Sequence, residues 1–251
     1  MVKNNRYLSR SVERIVFLSS GGRCAICKTR VYDIDGNGGG GATFFQIAHV
    51  RGLNPGSARY DQDMTDNERN SAENLILLCP TDHSKVDNDE TRYTVDYLVR
   101  IRREHIKWVD EKLGVEGSKL TFSELEVVIR FLEMDDSFIA NSDFNVLPVN
   151  EKIIKNNLSE EVRALITRGL IQVKQVKDYL AIQPDVDFGN RLRNRFVKEY
   201  NELLDMGIKG DQLFYDLYAF ATNGGKGDLL YMAGGLAVLV YFFESCEVFE
   251  K

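Results

Sequence analysis

The sequence contains no apolar run long enough to cross a lipid bilayer. The longest such run, residues 229–243, includes Gly234 and Gly235, and it is shorter than the roughly 20 residues that a spanning helix needs. Residues 1–6 lead into an amphipathic segment without an uninterrupted apolar core, so a secretory signal is not expected either. The sequence therefore predicts a buried helix at residues 229–243 and a cytoplasmic protein.

Cysteine is scarce, and positive charge is not in excess. The 4 cysteines stand at unequal spacings that do not form a disulfide framework, and in a reducing compartment paired thiols bind metal more often than they oxidise. The formal net charge is −6, with +1 on residues 1–119 and −7 on residues 120–251. Overall charge therefore does not indicate nucleic-acid binding, and any surface for phosphates must be local.

What the sequence does contain is typical of a globular protein of one or two domains, with 251 residues, 43% of them hydrophobic and 28% charged. Two groups of basic residues stand out in the first half: Arg6, Arg10, Arg14, Arg23, Lys28 and Arg30, and then Arg100, Arg102, Arg103 and Lys107. Either group could contact phosphates. A solvated helix face is the alternative interpretation of the second group.

Three short segments with metal-ligating or basic side chains follow one another within the first 83 residues. Cys24-Ala-Ile-Cys27 places two thiolates on one tight turn, which suits tetrahedral zinc, and Cys79 at the end of an apolar run supplies a third sulfur. A base, an amide and a metal ligand each stand beside a short apolar run: His49, Asn74 and His83. A fold that brings these groups together has the chemistry of nucleic-acid cleavage.

The predicted elements around these segments begin with a helix and two strands. Ser9 or Ser11 caps a first helix that ends near residue 18. Glycine-rich residues 35–42 then separate two predicted strands at residues 30–34 and 43–48. The second of these strands ends just before His49.

A long polar connection, residues 51–73, leads from His49 to the next predicted strand. Connections of this length in compact domains are usually functional loops. Residues 75–78 form an unbroken apolar run typical of a buried strand, and Pro80 suits the first turn of a helix that carries His83. Strand, loop, strand and helix is a ββα order.

Residues of about 8–112 resemble an HNH endonuclease domain of the zinc-stapled ββα-metal type. The matching segments are Ser-Gly-Gly-Arg-Cys-Ala-Ile-Cys at 20–27, Ile-Ala-His-Val at 47–50, the stretch 56–61 ending in Ala-Arg-Tyr-Asp, and residues 73–87. The resemblance implies that His49 is the general base, since imidazole accepts a proton from water near neutral pH. It further implies that His83 is a ligand of a catalytic Mg²⁺ or Mn²⁺ ion and that Asn74 orients the segment bearing the base.

The sequence departs from this family at the catalytic metal. Many relatives have Asp or Glu immediately before the base histidine as a ligand, and this chain has Ala48. Asp61, Asp87 or Asn74 is expected to complete the site beside His83. An Ala-His pair followed by Arg-Tyr-Asp resembles one HNH subgroup, so Ala48 does not exclude activity.

A second departure concerns the structural zinc, whose fourth ligand in the family is usually Cys or His three residues after the third. This position is Asp82, and carboxylate oxygen also binds zinc. The predicted zinc site is therefore Cys24, Cys27, Cys79 and Asp82. Arg59 is predicted to contact phosphate because a guanidinium binds anions in a bidentate manner, with a structural salt bridge as the alternative.

The second half of the chain is predicted to be mainly helical. A helix at residues 95–113 ends at Gly114, and residues 114–119 form a linker between domains at 1–114 and 120–251. Further helices are predicted at residues 122–134, 150–156, 159–168, 188–206, 211–222 and 228–244. Residues 173–182 alternate and predict a small pair of wing strands, so that residues 149–182 resemble a winged helix. The fold class is α+β, a ββα-metal nuclease domain with a zinc knuckle followed by a helical domain that is winged-helix-like in part.

Residues 188–250 resemble C-terminal modules of bacterial ABC-three-component defence proteins. The matching segments include Phe-Val-Lys-Glu-Tyr at 196–200 and Tyr-Phe-Phe-Glu-Ser-Cys-Glu-Val-Phe at 241–249. The resemblance implies an antiphage nuclease that cleaves foreign DNA and docks, through its helical domain, onto a complex with an SMC-like ABC ATPase. The alternatives are a free-standing restriction enzyme acting as a homo-oligomer and a zinc-stabilised binding or scaffold protein without catalysis.

Overall fold

The computed structural model describes residues 8–32, 45–132, 146–222 and 228–250. The chain divides into two compact units, residues 1–109 and 110–251. Helices predominate in the described ranges, and the first unit contains a two-stranded sheet. Among those helices, none combines the length and the apolar character needed to cross a membrane.

The first unit is built around a short antiparallel sheet. Its elements are α1 (Arg10–Ser19), β1 (Gln46–His49), α2 (Asp66–Arg69), a 3-10 turn (Ala72–Asn74), β2 (Leu75–Leu78), α3 (Pro80–Asn88) and the start of α4 (Val95–Gly117). The predicted order of strand, loop, strand and helix is present at residues 46–88. The two strands pair so that His49 lies opposite Leu75 and Gln46 opposite Leu78.

Local sequence explains where these elements begin and end. The Ser9 side chain accepts a hydrogen bond from the backbone N–H of Val12 at 3.2 Å and caps α1. Gly21 and Gly22 then adopt positive φ values of 58° and 61°, which turn the chain away from the helix. Pro80 occupies the first turn of α3, as predicted, because its missing N–H has no helical partner there.

The core of the first unit lies on β2. All four of its residues are buried, and the strand contacts both α1 and α3. A strand covered on both faces is apolar throughout rather than alternating, which is the pattern of Leu75–Leu78. This packing fixes the ends of β2, where Asn74 and Cys79 are found.

Two predicted strands are only partly described. The strand predicted at residues 30–34 is represented by a single antiparallel bridge between Arg23 and Arg30. Residues 33–44, which include the glycine-rich segment 35–42, lie outside the described part of the chain. The strand predicted at residues 43–48 is found as β1, which ends one residue later than expected.

The second unit is helical. Its elements after α4 are α5 (Phe122–Leu132), α6 (Val149–Lys155), α7 (Glu160–Leu170), α8 (Val173–Ala181), α9 (Phe188–Asp205), α10 (Gly210–Thr222) and α11 (Leu229–Ser245). Helix α11 is apolar on nearly all sides and packs against α5, α7, α8 and α10. This is the buried helix predicted at residues 229–243.

Close approach of helices to α11 requires glycine at two positions. A Cβ atom on Gly169 of α7 would lie 2.5 Å from Cγ2 of Val240, and one on Gly235 of α11 would lie 2.9 Å from the carbonyl oxygen of Ala221. Both distances are too short for real Cβ atoms, so any side chain at either position would push the helices apart.

Two predictions for this unit are wrong. Residues 173–182 are not wing strands but α8, because Val173, Val176 and Tyr179 recur at helical spacing and are buried on one face. Nothing in the described part of residues 149–182 therefore supports a winged helix. Helix α4 also does not stop at Gly114 but continues to Gly117, inside the predicted linker. The end of the helix predicted at residues 122–134 falls on residues 133–134, outside the described ranges.

Candidate metal and catalytic site

His49 is the last residue of β1 and is half buried. Strand pairing places it opposite Leu75, the residue that follows Asn74. Its ring nitrogen Nε2 lies 3.2 Å from Oδ1 of Asn70. The predicted base is thus held at a strand end beside the predicted amide.

Asn74 is buried, and its side-chain amide forms hydrogen bonds with backbone groups near both ends of the long loop. Its Oδ1 accepts from the N–H of Arg51 at 2.9 Å, and its Nδ2 donates to the carbonyl oxygens of Arg51 and Arg69, each at 2.9 Å. The backbone N–H of Val50 also donates to the Asn74 carbonyl at 2.8 Å. Asn74 therefore anchors the residues immediately after His49, which is the geometry that the predicted orienting role needs.

His83 lies on α3, one turn before Asp87. Its Nδ1 is 3.3 Å from a carboxylate oxygen of Asp87, and its side chain is 15% exposed. Asp87 also lies 3.8 Å from the guanidinium of Arg59. Two of the predicted metal ligands therefore contact each other on the solvent side of α3.

Arg59 makes structural contacts within the protein, as in the alternative to phosphate binding. Its Nε donates to the carbonyl of Val50 at 2.9 Å and its Nη1 to the carbonyl of Val86 at 2.8 Å. The side chain is 5% exposed, and burial lowers its pKa. The guanidinium links the loop after His49 to α3, while phosphate binding at Arg59 stays a prediction.

Asp61 is engaged by residues of the loop itself. Its carboxylate lies 3.4 Å from Nε of Arg51 and accepts from the backbone N–H of Asp63 at 3.1 Å. Ala48, where many HNH relatives have an acidic ligand, is buried in the core. In the described residues, Asp61, His83 and Asp87 do not form a cluster of three metal-ligating atoms.

Four side chains do form such a cluster. One ligand atom from each of Cys24, Cys27, Cys79 and Asp82 lies within 4.8 Å of the others. The Cys27 and Cys79 sulfurs are 3.8 Å apart, and Oδ2 of Asp82 is 3.3 Å from the Cys24 sulfur. Three thiolates and one carboxylate suit tetrahedral zinc, so the predicted ligands make up a cluster that could hold a metal such as zinc.

The electrostatics of the cluster suit a bound cation. Burial raises the pKa of the Cys24 thiol to about 12, although N–H groups of Cys27, Cys79 and Ile26 favour its thiolate. Burial opposes ionisation of Asp82, but hydrogen bonds from Lys85 and the thiols hold the pKa of Asp82 at about 2. A bound Zn²⁺ would supply the positive charge that keeps thiolates ionised.

Two lysines lie beside the cluster, and their contacts are not predicted from the sequence. Lys85 donates to Oδ1 of Asp82 at 2.8 Å, and the Asp-Lys pair at i and i+3 on a helix is a signal that could have indicated this. Lys28 donates to the carbonyl of Ala25 at 2.7 Å and lies 2.8 Å from Nδ1 of His105. The knuckle is therefore attached to α4.

The two basic groups are only in part available to phosphate. Arg23 donates to the carbonyl of Lys28 at 3.3 Å, and the Lys28 ammonium contacts Ala25 and His105. Arg100 pairs with Glu104 at 3.2 Å on the exposed face of α4. Arg6 lies outside the described residues.

Sequence reasoning also missed Asn70 and Arg69 in the long loop. The signal was present, since Thr65-Asp-Asn-Glu68 is a capping-box pattern that starts α2, and Asn70 caps the C-terminal end of that helix. What the pattern does not reveal is the long-range hydrogen bond between the His49 ring and the Asn70 side-chain oxygen, which accepts it.

Residues 123–250, just over half of the chain, match the model of C-terminal domain 10 of the ABC-three component (ABC-3C) systems. The chain belongs to this family. The predicted resemblance of its C-terminal half to ABC-3C proteins is thereby confirmed, and the match extends upstream of the predicted segment to include α5–α8. No curated protein matches the chain. The ABC-3C domain contains the second unit from Ser123 onward, whereas the ββα region lies before it.

Proposed function

We propose that the chain is a metal-dependent HNH endonuclease acting in an antiphage ABC-3C system. The observation that carries the proposal is the placement of His49 at the end of β1, Asn74 at the end of the 3-10 turn just before β2, and His83 on α3. The amide of Asn74 is bonded to both backbone groups of Arg51, two residues after His49. The neighbouring Cys-Cys-Cys-Asp cluster supports the zinc-stapled form of the fold.

In this mechanism His49 removes a proton from the water that attacks a DNA phosphodiester. Asn74 keeps the segment after His49 in place, so that the imidazole is held toward the water and does not swing with the loop. His83 on α3, with Asp87 or Asp61, would hold Mg²⁺ or Mn²⁺, and the ion would supply positive charge that stabilises the phosphate and the leaving oxygen. Asp87 at 3.3 Å from Nδ1 of His83 orients that ring.

The structural zinc has a separate part in this proposal. Cys24 and Cys27 come from the knuckle, and Cys79 and Asp82 from the junction of β2 and α3. A metal held by all four joins the knuckle to the element that carries His83. Loss of zinc is therefore expected to abolish cleavage by unfolding the site.

The test is conversion of supercoiled plasmid to nicked or linear DNA by the purified chain with Mg²⁺, Mn²⁺ or EDTA. We expect metal-dependent cutting that falls at least 100-fold in His49→Ala, since general-base catalysis contributes about 10²–10⁴-fold. His83→Ala should lower cutting as well, because it removes a ligand of the catalytic metal. Ser84→Ala, an exposed change on the same helix as His83, is the matched control and should cut like the wild type. Zinc content and far-UV circular dichroism verify that each variant is folded. Equal cutting by His49→Ala would refute the proposal.

The second unit docks the nuclease onto partner proteins of the system, including an SMC-like ABC ATPase. Membership of residues 123–250 in the ABC-3C family supports this, as does the net charge of −7 on residues 120–251, which does not favour DNA contact by this unit. Co-purification of the full chain with an ABC ATPase of the same system tests it. Retention of the ATPase by Cys24→Ser but not by a chain truncated after Gly117 would support docking by the second unit.

One set of observations favours a second candidate, a zinc-stabilised binding protein without catalysis. Ala48 cannot ligate a metal, and the carboxylates of Asp61 and Asp87 are already paired with Arg51 and with Arg59 and His83. This candidate predicts a folded, zinc-loaded chain that binds its ATPase partner and leaves plasmid uncut even in the assembled complex. Cleavage by the complex, lost in His49→Ala, would exclude it.

A further inference from the structure

The long loop between β1 and β2 contains a small helix that is stabilised far beyond what its length of four residues would provide. Thr65 and Glu68 form a complete capping box, with Glu68 Oε2 accepting from the N–H of Thr65 at 2.8 Å and Thr65 Oγ1 accepting from the N–H of Glu68 at 3.3 Å. The Thr65 N–H and the Thr65 hydroxyl both donate to Oε2 of Glu68 and lower the pKa of that carboxyl group. The start of α2 is therefore fixed although the loop is exposed there.

The end of α2 is fixed by a buried arginine. Arg69 donates to the carbonyl of Met64 at 2.7 Å and to the hydroxyl of Tyr60 at 3.3 Å, and its guanidinium stacks on the Tyr60 ring at 4.3 Å. The carbonyl of Arg69 accepts from Nδ2 of Asn74 at 2.9 Å. Both the side chain and the backbone of Arg69 are thus held, and they set the position of the next residue, Asn70.

Asn70 uses this position to reach His49. It caps α2 with its backbone N–H donating to the carbonyl of Asp66 at 3.1 Å, while its Oδ1 lies 3.2 Å from Nε2 of His49. A carbonyl oxygen can only accept, so the ring nitrogen facing it must carry the proton. The hydrogen bond on one imidazole nitrogen determines the protonation of the other.

We propose that Asn70 is the positioning residue for His49: its side-chain carbonyl accepts from Nε2–H and holds the neutral imidazole in the tautomer whose basic nitrogen is Nδ1. The catalytic consequence rests on the proposed nuclease function, whereas the tautomer itself does not. The loop, with its capping box and buried Arg69, acts as the support that places Asn70 against the end of β1. Removal of Asn70 leaves His49 in place on the strand but takes away the acceptor at Nε2–H.

The first experiment is a long-range ¹H–¹⁵N correlation spectrum of the folded, zinc-loaded chain at a pH where His49 is neutral. The chain has only 3 histidines, so the His49 signals are those that disappear in His49→Ala. We expect the wild type to show a single Nε2–H tautomer at His49. Either the Nδ1–H tautomer or a mixture of the two in the wild type would overturn the proposal, and no variant is needed for this result.

The variants separate positioning from folding. Asn70→Leu removes the acceptor at similar volume, and we expect the two ¹⁵N shifts of His49 to move toward each other. Asn70→Asp keeps an oxygen at the same place and should retain the wild-type tautomer. Asn67→Ala, an exposed change on the same helix, is the matched control and should leave the spectrum unchanged. An unaltered His49 spectrum in folded Asn70→Leu would overturn the proposal.

Plasmid cleavage then tests the catalytic consequence. Loss of a group that orients a functional histidine typically costs about 10- to 100-fold, so Asn70→Leu should lower kcat by this factor with little change in KM, and Asn70→Asp should restore most of it. A wild-type rate in Asn70→Leu would refute the catalytic role. If the wild-type chain and its complex cut no DNA, the proposed function fails, but the spectrum still decides whether Asn70 sets the tautomer.

Discussion

His105 on α4 is buried in a neutral form that hydrogen bonds on both sides. Its Nε2 lies 3.1 Å and 3.2 Å from the carbonyl oxygens of Ser20 and Arg23, so Nε2 carries the proton, and Nδ1 accepts from Lys28 at 2.8 Å. Burial, with a smaller contribution from Lys28, lowers the pKa of His105 to about 4. His105 therefore has a packing role, and it makes the first unit sensitive to acid.

The pH dependence follows from the sign of this shift. Between pH about 6.5 and pH about 4 the unfolded chain binds a proton at His105 that the folded chain does not, so the free energy of unfolding falls as the pH is lowered through this window and levels off above it. The loss attributable to His105 amounts to about 3 kcal/mol at most. Urea unfolding at pH 7.5 and 5.0, followed by fluorescence of Trp108, measures it, because this single tryptophan stacks on His105 at 5.5 Å.

The control for this prediction is His105→Gln, which retains a side-chain N–H for the Ser20 and Arg23 carbonyls but does not titrate. Its unfolding free energy should depend less on pH than that of the wild type. Zinc content is measured at both pH values, since acid also protonates metal-binding thiolates. Equal slopes for the two proteins would contradict the assignment to His105.

Lys152 on α6 is the most deeply buried charged side chain among the described residues of the second unit. Its ammonium donates to the carbonyl oxygens of Phe243, Cys246 and Val248 at 2.8, 2.5 and 3.0 Å, and it lies 3.3 Å from Glu250. The carbonyls belong to the end of α11 and the segment after it, where a cation is favourable. Burial lowers the pKa of Lys152, and the Glu250 carboxylate opposes this effect.

Lys152→Met is expected to destabilise the second unit by about 3 kcal/mol, because it leaves three buried carbonyls without a donor and Glu250 without its ion pair. Lys155→Met is the matched control on the same helix, where the lysine is exposed and bonds the backbone of Glu250. Lys155→Met should lower the stability of the second unit far less than Lys152→Met does. Chemical unfolding followed by far-UV circular dichroism compares the two, and equal losses would show that burial of Lys152 has no special effect.

At the scale of elements, the packing of α11 depends on which of its two adjacent glycines is changed. A Cβ on Gly235 would meet the Ala221 carbonyl at 2.9 Å and Cγ2 of Thr222 at 2.6 Å, whereas a Cβ on Gly234 would meet Leu120 and Val128 at an acceptable 3.4 Å. Alanine favours a helix over glycine by about 1 kcal/mol. Gly234→Ala should therefore be neutral or stabilising.

Gly235→Ala should instead destabilise the second unit by about 1–3 kcal/mol, because α10 and α11 must separate to admit the methyl group and this outweighs the gain in helix propensity. The two variants have the same composition, so their melting temperatures, measured by circular dichroism, give the effect of position alone. A melting temperature for Gly235→Ala at or above that of Gly234→Ala would refute this account of the packing.

The elements that sequence predicted well are those whose signals are local. Ser9 as a cap, Pro80 in the first turn of α3 and the unbroken apolar run of β2 each follow from a few adjacent residues. The order of the cysteines likewise predicted the metal cluster, since three of them in a knuckle-and-strand arrangement leave few alternatives.

The predictions that failed, or were not made, depend on tertiary contacts. Gly114 does not end α4, which continues to Gly117, and the Arg168 side chain lies where a Cβ of residue 114 would be, 2.8 Å from Nη1. Alternation at residues 173–182 predicts a strand, whereas the buried residues recur at every third position, as in a helix. Asn70 was not found because its partner lies 21 residues away. Sequence patterns do not contain such contacts.

At the scale of the whole molecule, the two units differ in what stabilises them. The first unit has a small core and a cluster of side chains that could hold a metal, in which Cys24 and Cys27 meet residues more than 50 positions later. The second has a core of helices around α11 and contains most of the described helical residues. Removal of metal should therefore affect one unit and spare the other.

We expect a zinc chelator, or Cys24→Ser, to change Trp108 fluorescence to that of an unfolded first unit while most of the far-UV circular dichroism remains. Thermal unfolding of the chelated chain should then show a transition of the second unit without a matching change in Trp108. Cys246→Ser, a change at a buried thiol outside the cluster, is the control and should leave the fluorescence and the zinc content unchanged. Loss of both signals in one step would contradict the independence of the units.

The position of α11 along the chain has a consequence for biosynthesis. This helix is the centre of the second unit, yet about 120 residues separate its start from the end of the first unit at Val109, a delay of roughly 6–24 s at 5–20 residues per second of translation. During that time α5–α10 have been synthesised, but α11, which would cover their apolar faces, has not. The nascent chain is thus most vulnerable to aggregation in this interval, and a chaperone that shields these helices would be most useful then.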